Sequence, residues 1–440
     1  MPCQLPPKAL GRGVLGALNR AGARPRLRST TAVFTTMSAV AATSILGGAS
    51  AAGPYSTAPC ALQRTDAHHS EGLDTWNPSY VQPVGTRDAV MVFLSFPDST
   101  PRTTPAELAA DHFPATSRYY EQASFGRFTL RAHPLRRWLR MPRPSTAYAV
   151  RRDWNARDRT AYLRDALAVA DPQVDFSRYD IVYFVADPDA PGVDSDATKV
   201  VNLDTPLRAD GKEFRQVVTV FERHPPDRLV LAHESGHVFD LPDLYHRPAD
   251  GKGDWDTYVG DWDLMGSQFG LSPDLFAWHK WKLGWLDPRQ VTCVWGRGPT
   301  RVTLEPVEVG PASAGSSGTS AAGSPLFGLG SGTKLVVVRT GSDSVLAIEA
   351  RASVGNDVRG CRQGVLVYRV RSGAESGGGP IEVIDAHPHT GACEETSVQP
   401  ALADAPIDVG ESFTVPGDGV RVEVENRTAS GAYTVKISSV

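Results

Sequence analysis

His233 and His237 stand four residues apart, and Glu234 follows the first of them directly. On a helix of 3.6 residues per turn, that step puts both imidazoles on one face, where both can reach a single metal ion. Glu234 falls at the edge of such a site without being needed as a ligand. The order His-Glu-x-x-His suits a catalytic zinc: two histidines leave room for a third protein ligand and a water, whose proton the glutamate can take. An apolar run, Leu229, Val230, Leu231 and Ala232, carries this helix inward. Pro225, Pro226 and Asp227 before it read as a helix start, with Asp227 as the cap.

The third ligand decides the class of zinc site. No glutamate occurs between Glu234 and Glu305, which argues against a site completed by a glutamate on a later helix. Asp243 lies six residues after His237, the spacing at which metzincin peptidases place their third ligand. Pro242 cannot continue a helix, so the chain is expected to leave it near Asp240 and to swing Asp243 back towards the metal. A carboxylate oxygen is an acceptable zinc ligand. Asp240 itself occupies a place where metzincins usually carry glycine, and aspartate tolerates positive φ better than most residues.

Three blocks then occur in order: HESGHVFDLPDLY at 233–245, VGDWDLMGS at 259–267 and SPDLFAWHKWKLGWLDP at 272–288. Together they resemble the immune inhibitor A type of secreted bacterial metallopeptidase. The H-E-x-G-H-x-x-x-L-P-D core is also similar to snapalysin, a small metzincin-like protease whose third ligand is an aspartate. The resemblance spans roughly residues 88–290. It implies a zinc endopeptidase with Met265 as the methionine of the turn beneath the metal, and a mixed sheet whose edge strand pairs with the substrate backbone. Some metzincins place a tyrosine two residues after that methionine; here Ser267 stands there, leaving Tyr245 and Tyr258 to donate to an oxyanion or to pack.

The elements that would position these residues alternate along the chain. An apolar strand is expected from Asp88 (AVMVFLSF), a helix over 105–124 bent or broken at Pro114, strands over 126–139 and a helix over 153–170. Strands at 179–186 and 214–221 precede the zinc helix, and an aromatic-rich helix over 273–286 follows it, with His279 as a surface or core residue. That order predicts an α+β chain: a metzincin-like peptidase domain over 88–290, with backing helices and an active-site helix on a mixed sheet. After Pro288 short alternating runs at 300–307, 334–339, 344–351, 364–370, 381–384, 412–415, 420–425 and 432–437 predict a β-sandwich-like domain over 291–440. The Gly, Ser and Ala-rich stretch near 310–332 reads as a flexible insert.

The first 28 residues hold six basic groups and no acid, and an apolar stretch ending in small residues near 51–53 follows. Residues 1–53 therefore read as a signal peptide and the protein as exported, with no stable membrane anchor after processing. Without them, 39 basic groups face 49 acidic ones. Such an acidic balance disfavours nucleic acid as a partner; protein or peptide substrates are the expected ones. Cys60, Cys293, Cys361 and Cys393 remain, an even number that predicts two disulfides. Three pairings are open, and Cys60–Cys293 with Cys361–Cys393 is favoured because the latter two share one apparent domain.

Residues 54–87 read as an irregular lead-in, with His68 and His69 as solvated side chains rather than ligands. The aspartates of 187–196 and 250–256 could hold calcium, but a solvated loop is the preferred reading for each. Two readings from other classes stand beside the zinc endopeptidase. One is a zinc hydrolase of non-peptide substrates. The other is a secreted binding protein with an inactive metalloprotease-like domain, its function carried by the β domain.

Overall fold

The computed structural model describes residues 58–227, 229–246, 256–295, 298–311 and 330–439. The leader, most of the 310–332 insert and nearly all of the 250–256 acidic loop lie outside the described residues. What is described is an α+β protein built on three main sheets.

Strand β1 (Gly85–Ser95) grows from the apolar run after Asp88. Its residues feed two cores in alternation, Ala89, Met91 and Phe93 into one and Val90, Val92 and Leu94 into the other. This explains why the run is apolar throughout: a strand covered on both faces has no polar side. Helices α1 (Pro105–His112) and α2 (Ala115–Ala123) are divided at Pro114, and Thr104 with Glu107 forms a capping box at the start of α1. Then come β2 (Phe128–Arg140), α3 (Ala156–Ala170), whose Asn155 cap accepts from Asp158 N–H, and β3 (Ile181–Ala186). Strands β4 (Lys199–Ala209) and β5 (Lys212–Val220) form a hairpin, and α4 (Val230–Val238) carries the His-Glu-x-x-His residues.

The sheet order is β2-β1-β3-β5-β4, parallel except for β4, which pairs antiparallel with β5 and forms one edge. Strand β4 has no counterpart among the strands expected from the sequence. Its run KVVNLDTPLRA contains Asp204 and Pro206, both poor strand formers, and the ladder slips between Asn202 and Leu207. An edge strand tolerates such residues, since one side of its backbone has no partner to lose. Tyr162, Leu163 and Ala166 of α3 cover one face of the sheet; Tyr119 and Tyr120 of α2 with Leu231 and Ala232 of α4 cover the other.

Two-residue strands β6 (Tyr245–His246) and β7 (Asp256–Thr257) pair beyond α4, and α5 (Ala277–Lys282) follows. The helix expected over 273–286 is therefore confined to six residues: Asp274 N–H is bound by Asp357, Phe276 N–H by Asp263, and Gly284 at φ 77 ends it. Next come β8 (Val291–Val294), also unread in the sequence, β9 (Thr300–Leu304), β10 (Leu335–Arg339), β11 (Ser344–Arg351), β12 (Gly364–Arg371), β13 (Ile381–Val383), β14 (Ser412–Val415), β15 (Val420–Arg427) and β16 (Tyr433–Ser439). They make two sheets, β13-β12-β11-β10-β8 and β14-β15-β16-β9. Val336, Ile348 and Val367 of the first share a core with Val422, Val424 and Val435 of the second. The other face of the first sheet joins the core around α4 and α5: Leu335, Ala347 and Tyr368 cluster with Met265, Trp278 and Trp285. One continuous core thus crosses residue 290, and the Tyr368 ring stacks on Phe276 at 4.3 Å.

The described part of the lead-in has no regular structure over 58–84, its last three residues opening β1, but it is not peripheral. Cys60, Leu62, Ser70, Glu71 and Leu73 are all buried, and disulfides join Cys60 to Cys293 and Cys361 to Cys393. Among the described residues no helix is long and apolar enough to cross a membrane.

Candidate metal centre

Helix α4 is entered without a side-chain cap. Leu229 at φ 57 occupies the cap position, and Asp227 contributes only its carbonyl to Val230 N–H, so the expected Asp227 cap is not made. The exit is a Schellman turn: Leu241 N–H donates to Gly236 O at 3.0 Å and Asp240 N–H to His237 O at 3.2 Å. Asp240 sits at the left-handed position with φ 67, where glycine is the usual solution. The turn reverses the chain so that Asp243 comes back beneath the helix.

Each imidazole is oriented by a carbonyl. His233 Nδ1 lies 2.9 Å from Leu264 O and His237 Nδ1 lies 2.8 Å from Leu241 O. A carbonyl can only accept, so both Nδ1 atoms carry a proton, and in the neutral ring, the form that binds a metal, each Nε2 keeps a lone pair. Those two Nε2 atoms face Asp243 Oδ1 at 3.3 and 3.1 Å. The oxygen is buried and makes no hydrogen bond. With both rings neutral, three acceptor atoms thus crowd one point, an arrangement that calls for a cation. The spacing fits zinc: ligands about 2.0–2.1 Å from a tetrahedral ion lie roughly 3.3 Å from one another. Despite burial, the two histidines hold the Asp243 carboxyl well below the ordinary range; when no metal is bound the carboxylate draws His237 up to about 9 against its own burial, so that a proton takes the cation's place. Among the described residues, this trio forms a group able to hold a metal ion. The 187–196 loop forms none: Asp187 is buried against Ser99 Oγ at 2.6 Å, and Asp194 caps a local turn.

Glu234 reaches out of α4 to the edge strand, its Oε2 accepting from Val200 N–H at 2.6 Å. Burial pushes its carboxyl up, while His233, His237 and the Val200 N–H pull it down; the net direction is upward. Met265 is fully buried beneath the helix, with Sδ against Gly236. Its backbone N–H donates to Asp263 Oδ1 at 2.8 Å, and the preceding Leu264 supplies the carbonyl that orients His233. The trio opens on a cleft of about 760 Å³, walled by Lys199, Val200 and Asn202 of β4 and by Ser267 and Phe269 beyond the methionine. Tyr245 lies in this cleft with its ring 6.0 Å from that of His233. Tyr258 packs on the core instead and bonds its backbone to Leu244 and Val383.

The solvated reading of His69 fails. Its ring is buried 5.6 Å from His237, and Nδ1 lies 3.1 Å from Asp240 Oδ1. Burial lowers His69 to about 4, so the neutral ring donates Nδ1–H to an ionised Asp240. Arg64 Nη2 reaches the other oxygen, Oδ2, at 2.5 Å. Burial pushes the Asp240 carboxyl up, but Lys282, His69 and Arg64 together hold it below its ordinary value. A second buried chain runs from Asp263 through His279, bonded at 2.9 Å, to Glu71 at 3.1 Å. These two acids raise His279 to about 9 against the effect of burial. Arg64, Glu71 and Lys282 were invisible as site residues in the sequence, because their partners lie far along the chain. A charged residue in an otherwise irregular, cysteine-anchored lead-in was the one available hint.

No protein-family model matches the chain, and no curated protein is significantly similar to it.

Proposed function

We propose that the chain is a secreted zinc-dependent endopeptidase in which His233, His237 and Asp243 hold the metal. The observation that carries this reading is the convergence of the two Nε2 atoms and Asp243 Oδ1, with both imidazole protons committed to carbonyls and Oδ1 left without a hydrogen bond. When bound, zinc would polarise the scissile carbonyl and acidify a water beside it. Glu234 takes the proton of the attacking water and passes it to the leaving amine; its raised proton affinity suits both halves of that task.

Peptide, rather than a small ester or amide, is favoured by β4. Val200 turns its N–H away from β5 to Glu234, and ladder alternation turns the N–H and C=O of Asn202 the same way. An extended substrate can pair with that edge and so lay its backbone across the trio. Tyr245, in the cleft beside His233, is the better placed of the two tyrosines to donate to an oxyanion. Two disulfides and the basic, then apolar, N-terminal stretch support export. The Glu234→Gln variant tests the assignment: it should bind zinc as the parent does and lose peptide hydrolysis, and full activity in it would refute the role given to Glu234.

A further inference from the structure

Asp243 lies in a stretch, 241–244, that belongs to neither helix nor strand; Leu241 and Leu244 on either side are bonded to Gly236, Met265 and Tyr258, but the backbone groups of Asp243 itself find their partners elsewhere. The bonds that fix it come from the turn between β12 and β13, more than a hundred residues later. Asp243 N–H donates to Ser376 Oγ at 2.9 Å, and Gly377 N–H donates to Asp243 O at 2.9 Å. The one proton of the Ser376 hydroxyl faces Asp243 Oδ2 at 3.5 Å. Ser376 also lines the cleft. The same turn holds the lead-in, through Ser376 N–H to His68 O at 3.3 Å and His68 N–H to Glu375 Oε2 at 2.7 Å.

The consequence is a division of labour between the two carboxylate oxygens. Oδ2 faces the serine hydroxyl, while Oδ1 makes no hydrogen bond and is turned to the imidazoles. A carboxylate on an irregular segment could otherwise rotate, presenting either oxygen or neither. We propose that Ser376, from the C-terminal β region, is a positioning residue for the third metal ligand, so that the sandwich completes the metal centre. This rests on the zinc reading above. Hydrogen bonds that orient a metal-ligating side chain are typically worth about 10–100-fold in metal affinity.

The test is the zinc dissociation constant of the mature chain, measured by competition against a chromophoric chelator, for the parent, Ser376→Ala and Ser376→Thr. Thermal unfolding of the metal-free proteins is measured in parallel. The alanine variant should bind zinc about 10–100-fold more weakly, with threonine, which keeps the hydroxyl, within a few-fold of the parent. A merely structural serine would lower the unfolding temperature and leave the zinc constant where it was. Parent-like zinc affinity in Ser376→Ala overturns the proposal, as does equal weakening in both variants. Should the alanine variant not fold, Ser376→Gly is read by the same criteria. Absence of zinc binding by the parent would instead refute the metal centre itself, which keeps the two failures apart.

Discussion

A methyl group added to Gly236 would stand 2.5 Å from Met265 Sδ and 3.1 Å from its Cε. A side chain at Gly236, on the inner face of α4, would therefore have to displace the end of the methionine that lies flush beneath the helix. Gly236→Ala should destabilise the protein by about 1–3 kcal/mol, the usual cost of overpacking a filled core. In a double-mutant cycle with Met265→Ala, the two changes should be non-additive by more than about 0.5 kcal/mol, measured by denaturant unfolding. Additive effects would mean that the sulfur does not rest on that glycine.

Asp240 combines a left-handed backbone with a buried charge, and two substitutions separate these roles. Asparagine and glycine both tolerate φ 67, and both remove the carboxylate that meets Arg64 and His69. Each should cost about 2–4 kcal/mol, somewhat less than the ~3–5 of a fully buried pair because Arg64 is partly exposed. A near-neutral Asp240→Gly would show that the conformation, not the charge, is what the site requires.

Stability should fall on both sides of neutrality for separate reasons. His279, ordinarily at 6.5, is raised to about 9 in the folded state. The stability it contributes is whole below its unfolded value and is lost as pH rises through about 9, on the order of 3 kcal/mol in all. His112 is buried and lowered to about 4, so its contribution is whole above 6.5 and is lost as pH falls through about 4. Urea unfolding across pH 4–9.5 at constant zinc checks this. His279→Gln should be less stable near neutrality and lose most of the alkaline slope; an unchanged slope would rule out His279 as its source.

The Cys60–Cys293 disulfide closes a separation of 233 residues and ties down the lead-in that carries Arg64, His69 and Glu71. Replacing both cysteines with alanine should cost about 2–5 kcal/mol. Protease nicking before residue 85 should also become faster, as the lead-in detaches from the core. Unchanged nicking would mean that the buried charges hold it unaided.

What was legible in the sequence was local. His233 and His237 declare themselves by helical spacing, β1 by an unbroken apolar run, and the break at Pro114 by proline chemistry. Strands β11 and β14 fall at the residues where alternation put them. The disulfides join the favoured pairs. What stayed hidden depends on partners distant in sequence. His69 looks solvated until Asp240, 171 residues away, is beside it, and Ser376 has no signature at all until the fold brings it to Asp243. Strand β4 failed for another reason: an edge is permitted residues that an interior strand is not, so propensity misleads where the substrate is proposed to bind.

The most direct measurement is zinc content together with cleavage of a quenched protein substrate by residues 54–440, with and without chelator. About one zinc per chain, and cleavage that chelator abolishes and zinc restores, is the expected result. A folded protein that holds no zinc at micromolar metal would contradict the metal centre at His233, His237 and Asp243, and chelator-insensitive cleavage would contradict its part in the reaction.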